Sequence, residues 1–348
     1  MKLQKSIVAG ISALVFLSLS GCANAGSGDA PGADEESAAP VTVRAASVDS
    51  LTWTAWMDLP ATASRPEDAN VNIHMIPLKS SAEVVLAVQT GKIDMGPAST
   101  SVIAAALDSS DLPVKIVAGA SPGTPEVVVG ADSGITELKD LVGKKVGVVR
   151  GASEYYKLQF ALSSIGIDME KEVDVTTLLA STDLLLALQR GDLDAIVTFP
   201  PFSVKALNDG YGTPSPKLTE QIRDAGGVES VIIVNADFAK KNPQAVQAVI
   251  NTYVDKWATF EKDPSAWVDS YLKHASGDKK ELQESVDSLP MWGGQMHDDT
   301  IMEITKSLAG YKAIPSDTSE KMGALFDYSY LEKATGKSAA DLGSSSGK

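Results

Sequence analysis

The chain is poor in the residues that carry most metal and thiol chemistry. It holds 1 cysteine and 3 histidines among 348 residues. A single cysteine excludes an internal disulfide and any multi-cysteine metal site. His74, His274 and His297 fall in unrelated segments, which leaves little for zinc. Positive charge is short as well: 30 Lys and Arg stand against 45 Asp and Glu, for a formal net charge of −15. That balance argues against nucleic acid, whose phosphates need clustered Lys and Arg, and against simple attraction to anionic lipid. There is no His-Glu-x-x-His zinc motif, and Gly143-Lys144-Lys145 lacks the upstream glycine of a phosphate loop. With 44% hydrophobic residues, the chain can still bury one large core or two ordinary ones.

No apolar run reaches the about 20 residues that a transmembrane helix needs. The nearest is Ile7–Leu19, preceded by Lys2 and Lys5, which has the make-up of a secretory signal over residues 1–21. Its removal takes the charge from −15 to −17 by deleting two lysines. The lone cysteine closes this segment in Leu19-Ser20-Gly21-Cys22, which resembles the bacterial lipoprotein box. The resemblance implies cleavage before Cys22 and acylation of its thiol; an ordinary secretory signal with a chance cysteine is the alternative. Two or more acyl chains would anchor the protein stably. Residues 22–40 are rich in Gly, Ala, Ser, Pro and acids and have no large aliphatic side chain, so a disordered tether is expected. Residues 336–348 read as a flexible tail.

Between these ends, strand patterns alternate with helical ones. Val41–Val48 and Val71–Ile76 alternate with period two, and short β-branched runs recur at 114–118, 127–129, 145–149, 173–177, 195–198 and 231–234. Helical patterns lie at 81–90, 99–107, 153–165, 181–190 and 201–208, and beyond residue 240 the pattern is helical. Alternation of this kind implies parallel sheets covered by helices on both faces. Residues 77–94 also match residues 177–194 at an offset of one hundred: Leu78, Ser81, Leu86, Ala87, Gln89, Gly91 and Asp94 recur as Leu178, Ser181, Leu186, Ala187, Gln189, Gly191 and Asp194. Each half predicts a helix capped by Ser81 or Ser181, ended by a left-handed Gly91 or Gly191, and followed by a short strand. The repeat points to two similar lobes.

Gly91-Lys-Ile-Asp-Met-Gly96, Leu138–Ser153 and Ala187–Ile196 resemble solute-binding proteins of ABC importers, in the branch for nitrate, taurine and aliphatic sulfonates that also holds binders of a thiamine-precursor pyrimidine. The resemblance implies an α/β, two-lobed type II periplasmic-binding fold with parallel-rich sheets and a ligand cleft between lobes. Lobe one would comprise 41–130 plus 235–335, and lobe two 131–234, with a hinge near Val128–Asp132 and Ser230–Asn235. It further implies a monomer on the outer face of the bacterial cytoplasmic membrane that hands a small solute to an ABC permease, with no enzyme activity, cofactor or metal.

In open sheets the crevice lies beyond the carboxyl ends of the strands. Those ends supply the candidate ligand residues: Trp53 and Trp56 after the first strand; Ser99, Thr100 and Ser101 at one helix start; Gly151, Ala152, Ser153 and Glu154 at another; and Phe199 and Pro200 after Asp194. Helix N-termini offer unpaired N–H groups suited to sulfonate, nitrate or carboxylate. Each element also has a plain structural reading: Ser99 and Ser153 as helix caps, Trp53 and Trp56 as core, Phe199–Pro201 as a turn, Trp292 as a loop anchor, and Asp94 and Asp194 as turn residues. Glu154 either complements its helix dipole from the solvent side or points into the cleft, where it would favour an amine. A zwitterion such as taurine would satisfy both helix ends and Glu154. The competing readings are a pyrimidine binder, an enzyme on the same fold, and a structural surface lipoprotein.

Overall fold

The computed structural model describes residues 39–68, 70–121, 125–149, 152–224, 230–289 and 294–346. The signal segment, Cys22, nearly all of the tether, Gly151 and Trp292 lie outside the described residues. Ten strands follow in chain order: β1 (Val41–Val48), β2 (Val71–Leu78), β3 (Met95–Ser99), β4 (Val114–Ser121), β5 (Glu126–Val129), β6 (Lys145–Val149), β7 (Asp174–Leu178), β8 (Ala195–Thr198), β9 (Thr213–Pro214) and β10 (Ser230–Asn235). They form two five-stranded sheets, ordered β2-β1-β3-β10-β4 and β7-β6-β8-β5-β9. The helices are α1 (Thr54–Met57), α2 (Ser81–Gln89), α3 (Thr100–Ser109), α4 (Ser153–Ser164), α5 (Met169–Glu172), α6 (Ser181–Gln189), α7 (Phe202–Asn208) and α8 (Pro216–Asp224), then α9 (Ala236–Lys241), α10 (Pro243–Lys262), α11 (Pro264–Tyr271), α12 (Lys279–Ser288), α13 (Asp298–Gly310), α14 (Ser319–Gly323) and α15 (Ser329–Thr335).

The hundred-residue repeat is a repeat of structure. β2-α2-β3 and β7-α6-β8 occupy the same places in the two sheet orders, around β1 and β6. Gly91 and Gly191 take φ of 67° and 74° just past their helices, a left-handed conformation that glycine adopts without steric cost. The caps differ from expectation. Ser80, not Ser81, accepts the Glu83 N–H at 3.3 Å, and Ala180 holds the equivalent position before α6. Ser81 is instead spent on β3, where its hydroxyl accepts the Ser99 N–H at 2.8 Å.

The sheets are mixed rather than wholly parallel. β1 pairs in parallel with β2 and β3, and β6 with β7 and β8. β10 runs antiparallel between β3 and β4, and β5 antiparallel between β8 and β9. The lobe boundaries shift accordingly. β5 belongs to the second sheet and β10 to the first, so the chain crosses between Ser121 and Glu126 and again between Asp224 and Ser230. Of the expected hinge segments Val128–Asp132 and Ser230–Asn235, Val128, Val129 and Ser230–Asn235 are ladder-bonded inside sheets, while 130–132 follow the end of β5.

In the first lobe, one core runs from the sheet into α10 and α11, where Trp257 meets Trp267 edge-on at 5.1 Å and Phe260 stacks on Trp267 at 5.7 Å. The second sheet is covered on both faces: Val127 and Val129 pack on one side and Val128 on the other, as the strand period of two requires. The C-terminal segment is not a free tail through Ser346. Leu342 is fully buried, its carbonyl accepts the Met296 N–H at 3.1 Å, and Asp298 accepts the Ser345 N–H at 2.8 Å. A single leucine among Gly and Ser gave no periodic signal, yet it finds a place in the core.

Candidate functional site

The carboxyl ends of β1, β2, β3, β6 and β8 lead into the walls of one cavity of about 80 Å³. A water needs about 10–15 Å³ of such space, so the cavity suits a small solute rather than a peptide or sugar chain. Four helices begin at its wall: α2 through Ser80 and Ser81, α3 through Ser99, α4 through Ala152, Ser153 and Glu154, and α6 through Ser181. Two come from each sheet's lobe. Each start carries N–H groups without an intrahelical partner and the positive end of a helix dipole.

The aromatic wall is Trp53, Phe199 and Phe202. Trp53 reaches the cavity because Leu51–Trp53 forms a short turn after β1, pinned by the Trp267 indole, which donates to the Leu51 carbonyl at 2.7 Å. Trp53 Nε1 is buried and has no hydrogen-bond partner among the described residues. Trp56 does not line the cavity. It is fully buried, donates to the Ala46 carbonyl at 2.7 Å and meets Tyr253 edge-on at 5.8 Å, so it is core. Two residues separate the two tryptophans, and the second, within α1, turns toward β1 and the core.

Glu154 turns inward. It is buried at the first turn of α4, lines the cavity, and its Oε2 has no hydrogen-bond partner among the described residues. Burial pushes its carboxyl up to about 7, against the lowering effects of its own backbone N–H and of Lys157. The solvent-facing alternative for this side chain is thereby removed.

Ser99, Ala152, Ser153, Phe199 and Pro200 line the cavity as the sequence suggested. Thr100 and Ser101 do not, although both are buried with hydroxyls unpartnered among the described residues. Asp94 and Asp194 are structural: their carboxylates accept the Arg44 and Lys145 backbone N–H groups and neither lines the cavity. The sequence reading missed Asp49, Lys79, Ser181 and Phe202, which also line the cavity. The strand-end rule would have found Asp49 and Lys79, which directly follow β1 and β2, and the repeat already marked Ser81 and Ser181. Asp49 accepts a hydrogen bond from the Tyr271 hydroxyl at 2.8 Å and, with Phe202, also borders a neighbouring groove of about 860 Å³.

One catalytic spelling is a coincidence of composition. Gly119-Ala-Ser-Pro-Gly123 fits Gly-x-Ser-x-Gly, but a nucleophile elbow sets its serine on a strand-to-helix turn. Ser121 is the last residue of β4, paired with Ser230 inside the sheet, and the next described element is a strand.

Known proteins share this architecture. The alkanesulfonate-binding protein from Xanthomonas axonopodis pv. citri, solved bound to MOPS, superposes with a TM-score of 0.70 at 16% identity, over 84% of this chain and 100% of that one. The periplasmic nitrate-binding protein from Synechocystis PCC 6803 gives a TM-score of 0.69 at 11% identity, over 89% of this chain and 92% of that one. These likenesses establish the periplasmic-binding fold. In sequence, the taurine-binding periplasmic protein of Escherichia coli (strain K12) is 30% identical over 192 residues, 54% of this chain and 58% of that protein, so the match spans a little over half the relative's length. Residues 67–266, more than half of the chain, match the family described as NMT1/THI5 like, and the chain belongs to that family.

Proposed function

We propose that this protein is an extracytoplasmic solute-binding component of an ABC importer, and that it captures a small organic solute bearing a sulfonate-type oxyanion between its two lobes. The observation that carries this is the convergence of the α2, α3, α4 and α6 starts, with Ser99, Ser153 and Ser181, on one small cavity walled by Trp53 and Phe199. Dipole ends and N–H groups bind an oxyanion without a dedicated cation, and the aromatic faces cover an apolar linker. The names of the similar proteins, binders of alkanesulfonate, nitrate and taurine, support the class. Bare nitrate would leave the aromatic wall unused, so an organic anion fits better.

Calorimetry on the full chain with taurine, ethanesulfonate, nitrate and an aminopyrimidine tests the reading. Binding of a sulfonate supports it. Binding of the pyrimidine alone transfers the site to a stacked heterocycle.

The cell-surface part of the reading rests on Leu19-Ser20-Gly21-Cys22. An acylated Cys22 would hold the folded body at the outer face of the cytoplasmic membrane, beside the permease. Cys22→Ala should release the protein from a salt-washed membrane fraction without unfolding it. A variant that stays in that fraction would place the anchor elsewhere.

A further inference from the structure

We infer that Glu154 and Asp49 form an ammonium subsite at one end of this cavity, so that the solute is a zwitterion whose amine is held between the lobes. The inference rests on the proposed function and adds the second charge of the ligand. Glu154 comes from α4 in the second lobe and Asp49 from the end of β1 in the first, and both line the same cavity. Glu154 is 3% exposed, and its Oε2 meets no donor among the described residues. A buried acceptor left without a donor is costly, and such atoms call for a partner that arrives with the ligand.

At pH 8, where the carboxylate form predominates, an anion cannot be that partner, since it would add a like charge. A hydroxyl would satisfy only the hydrogen bond. An ammonium satisfies both charge and hydrogen bonding, and its three donors can reach more than one acceptor. Asp49 is already oriented by the Tyr271 hydroxyl at 2.8 Å through Oδ1. It is exposed on the groove side, so it acts at the mouth while Glu154 acts at depth. Among the described residues of the cavity wall Lys79 is the one cationic side chain, and it precedes the cap of α2. Lys157, one turn along α4, attracts Glu154 and keeps the carboxylate form within reach near neutral pH. Because the two acids belong to different lobes, an amine between them is a contact that only the closed cleft completes.

The test is calorimetry at pH 8 with the full chain and three probes: taurine, ethanesulfonate and β-alanine. The parent should bind taurine more tightly than ethanesulfonate. Glu154→Gln should weaken taurine by about ten- to a hundred-fold, the worth of a charge-assisted hydrogen bond, while ethanesulfonate stays unchanged or tightens. Asp49→Asn should produce a smaller loss in the same direction, because water screens it. Equal losses for taurine and ethanesulfonate, or taurine binding no tighter than ethanesulfonate in the parent, overturn the subsite and leave the sulfonate reading standing. If β-alanine binds in a Glu154-dependent way and neither sulfonate binds, the subsite stands and the sulfonate reading falls. If none of the three binds, both fall.

Discussion

Asp94 and Asp194, one hundred residues apart, perform the same structural task in the two lobes. The Asp94 carboxylate accepts the Arg44 backbone N–H at 2.8 Å and its own N–H returns to the Arg44 carbonyl at 2.8 Å. The Asp194 carboxylate accepts the Lys145 N–H at 2.8 Å, and its N–H returns to the Lys145 carbonyl at 2.8 Å. Each aspartate thus clamps the turn after its helix onto the strand that its own strand flanks in parallel, β1 for Asp94 and β6 for Asp194.

The clamps differ in weight, and stability should show it. Asp94 is buried and also takes the Arg44 guanidinium, with Nε at 3.0 Å, whereas Asp194 is only half-buried and its carboxylate takes one N–H among the described residues. Asp94→Ala should cost about 1.5–3 kcal/mol and Asp194→Ala about 0.5–1.5 kcal/mol, the ranges for charged and ordinary hydrogen bonds. Urea unfolding of both variants measures this. Equal costs would show that the Arg44 fork, half-exposed as it is, contributes nothing.

The two tryptophans should separate stability from affinity. Trp56→Ala empties a fully buried site and should destabilise the protein by about 3–5 kcal/mol. In solute-binding assays well below its melting temperature it should bind nearly as the parent does. Trp53→Ala should lower solute affinity more than it lowers stability, since its ring walls the cavity. The reverse ranking would exchange their roles.

Glu154 gives a signed pH dependence. Burial holds its folded carboxyl at about 7 against an ordinary value of 4.5, so between these pH values the folded state keeps a proton that the unfolded chain has released. The unliganded protein should therefore lose stability as pH rises through this window, by up to about 1.4 kcal/mol per pH unit from this group, and level off above it. Glu154→Gln should lack that component and be the more stable protein at pH 8. Taurine affinity for the parent should move the other way and rise with pH, because the amine needs the ionised carboxylate. Parallel stability profiles for parent and variant would mean that the folded carboxyl titrates as an ordinary one.

Closure should bring the helix starts of the two sheets together as rigid bodies, since β4 and β10 are bonded into one sheet and β5 into the other. Phe160 of α4 already packs into the first lobe's core and meets Tyr311 edge-on at 5.1 Å, which marks a contact that opening must break. Small-angle scattering should show a smaller radius of gyration with saturating taurine. A radius that does not change would count against closure.

Local patterns in the chain determined a great deal by themselves. The repeat around Ser81 and Ser181, the left-handed glycines and the β-branched runs specified two equivalent α/β lobes, because these signals depend only on near neighbours along the backbone. They also named Ser99, Ser153 and Phe199, since helix starts that follow strand ends are visible in one dimension. What they left open was decided by contacts between distant segments. The antiparallel pairing of β10 and β5 moved the lobe boundaries. The Trp267 indole on the Leu51 carbonyl settled which tryptophan faces the cavity, and Leu342 found its core only in three dimensions. Whether Glu154 faced solvent or ligand was also beyond the pattern. A first-turn carboxylate looks the same in either orientation until the opposite lobe, carrying Asp49 and Ser99, comes close enough to exclude water.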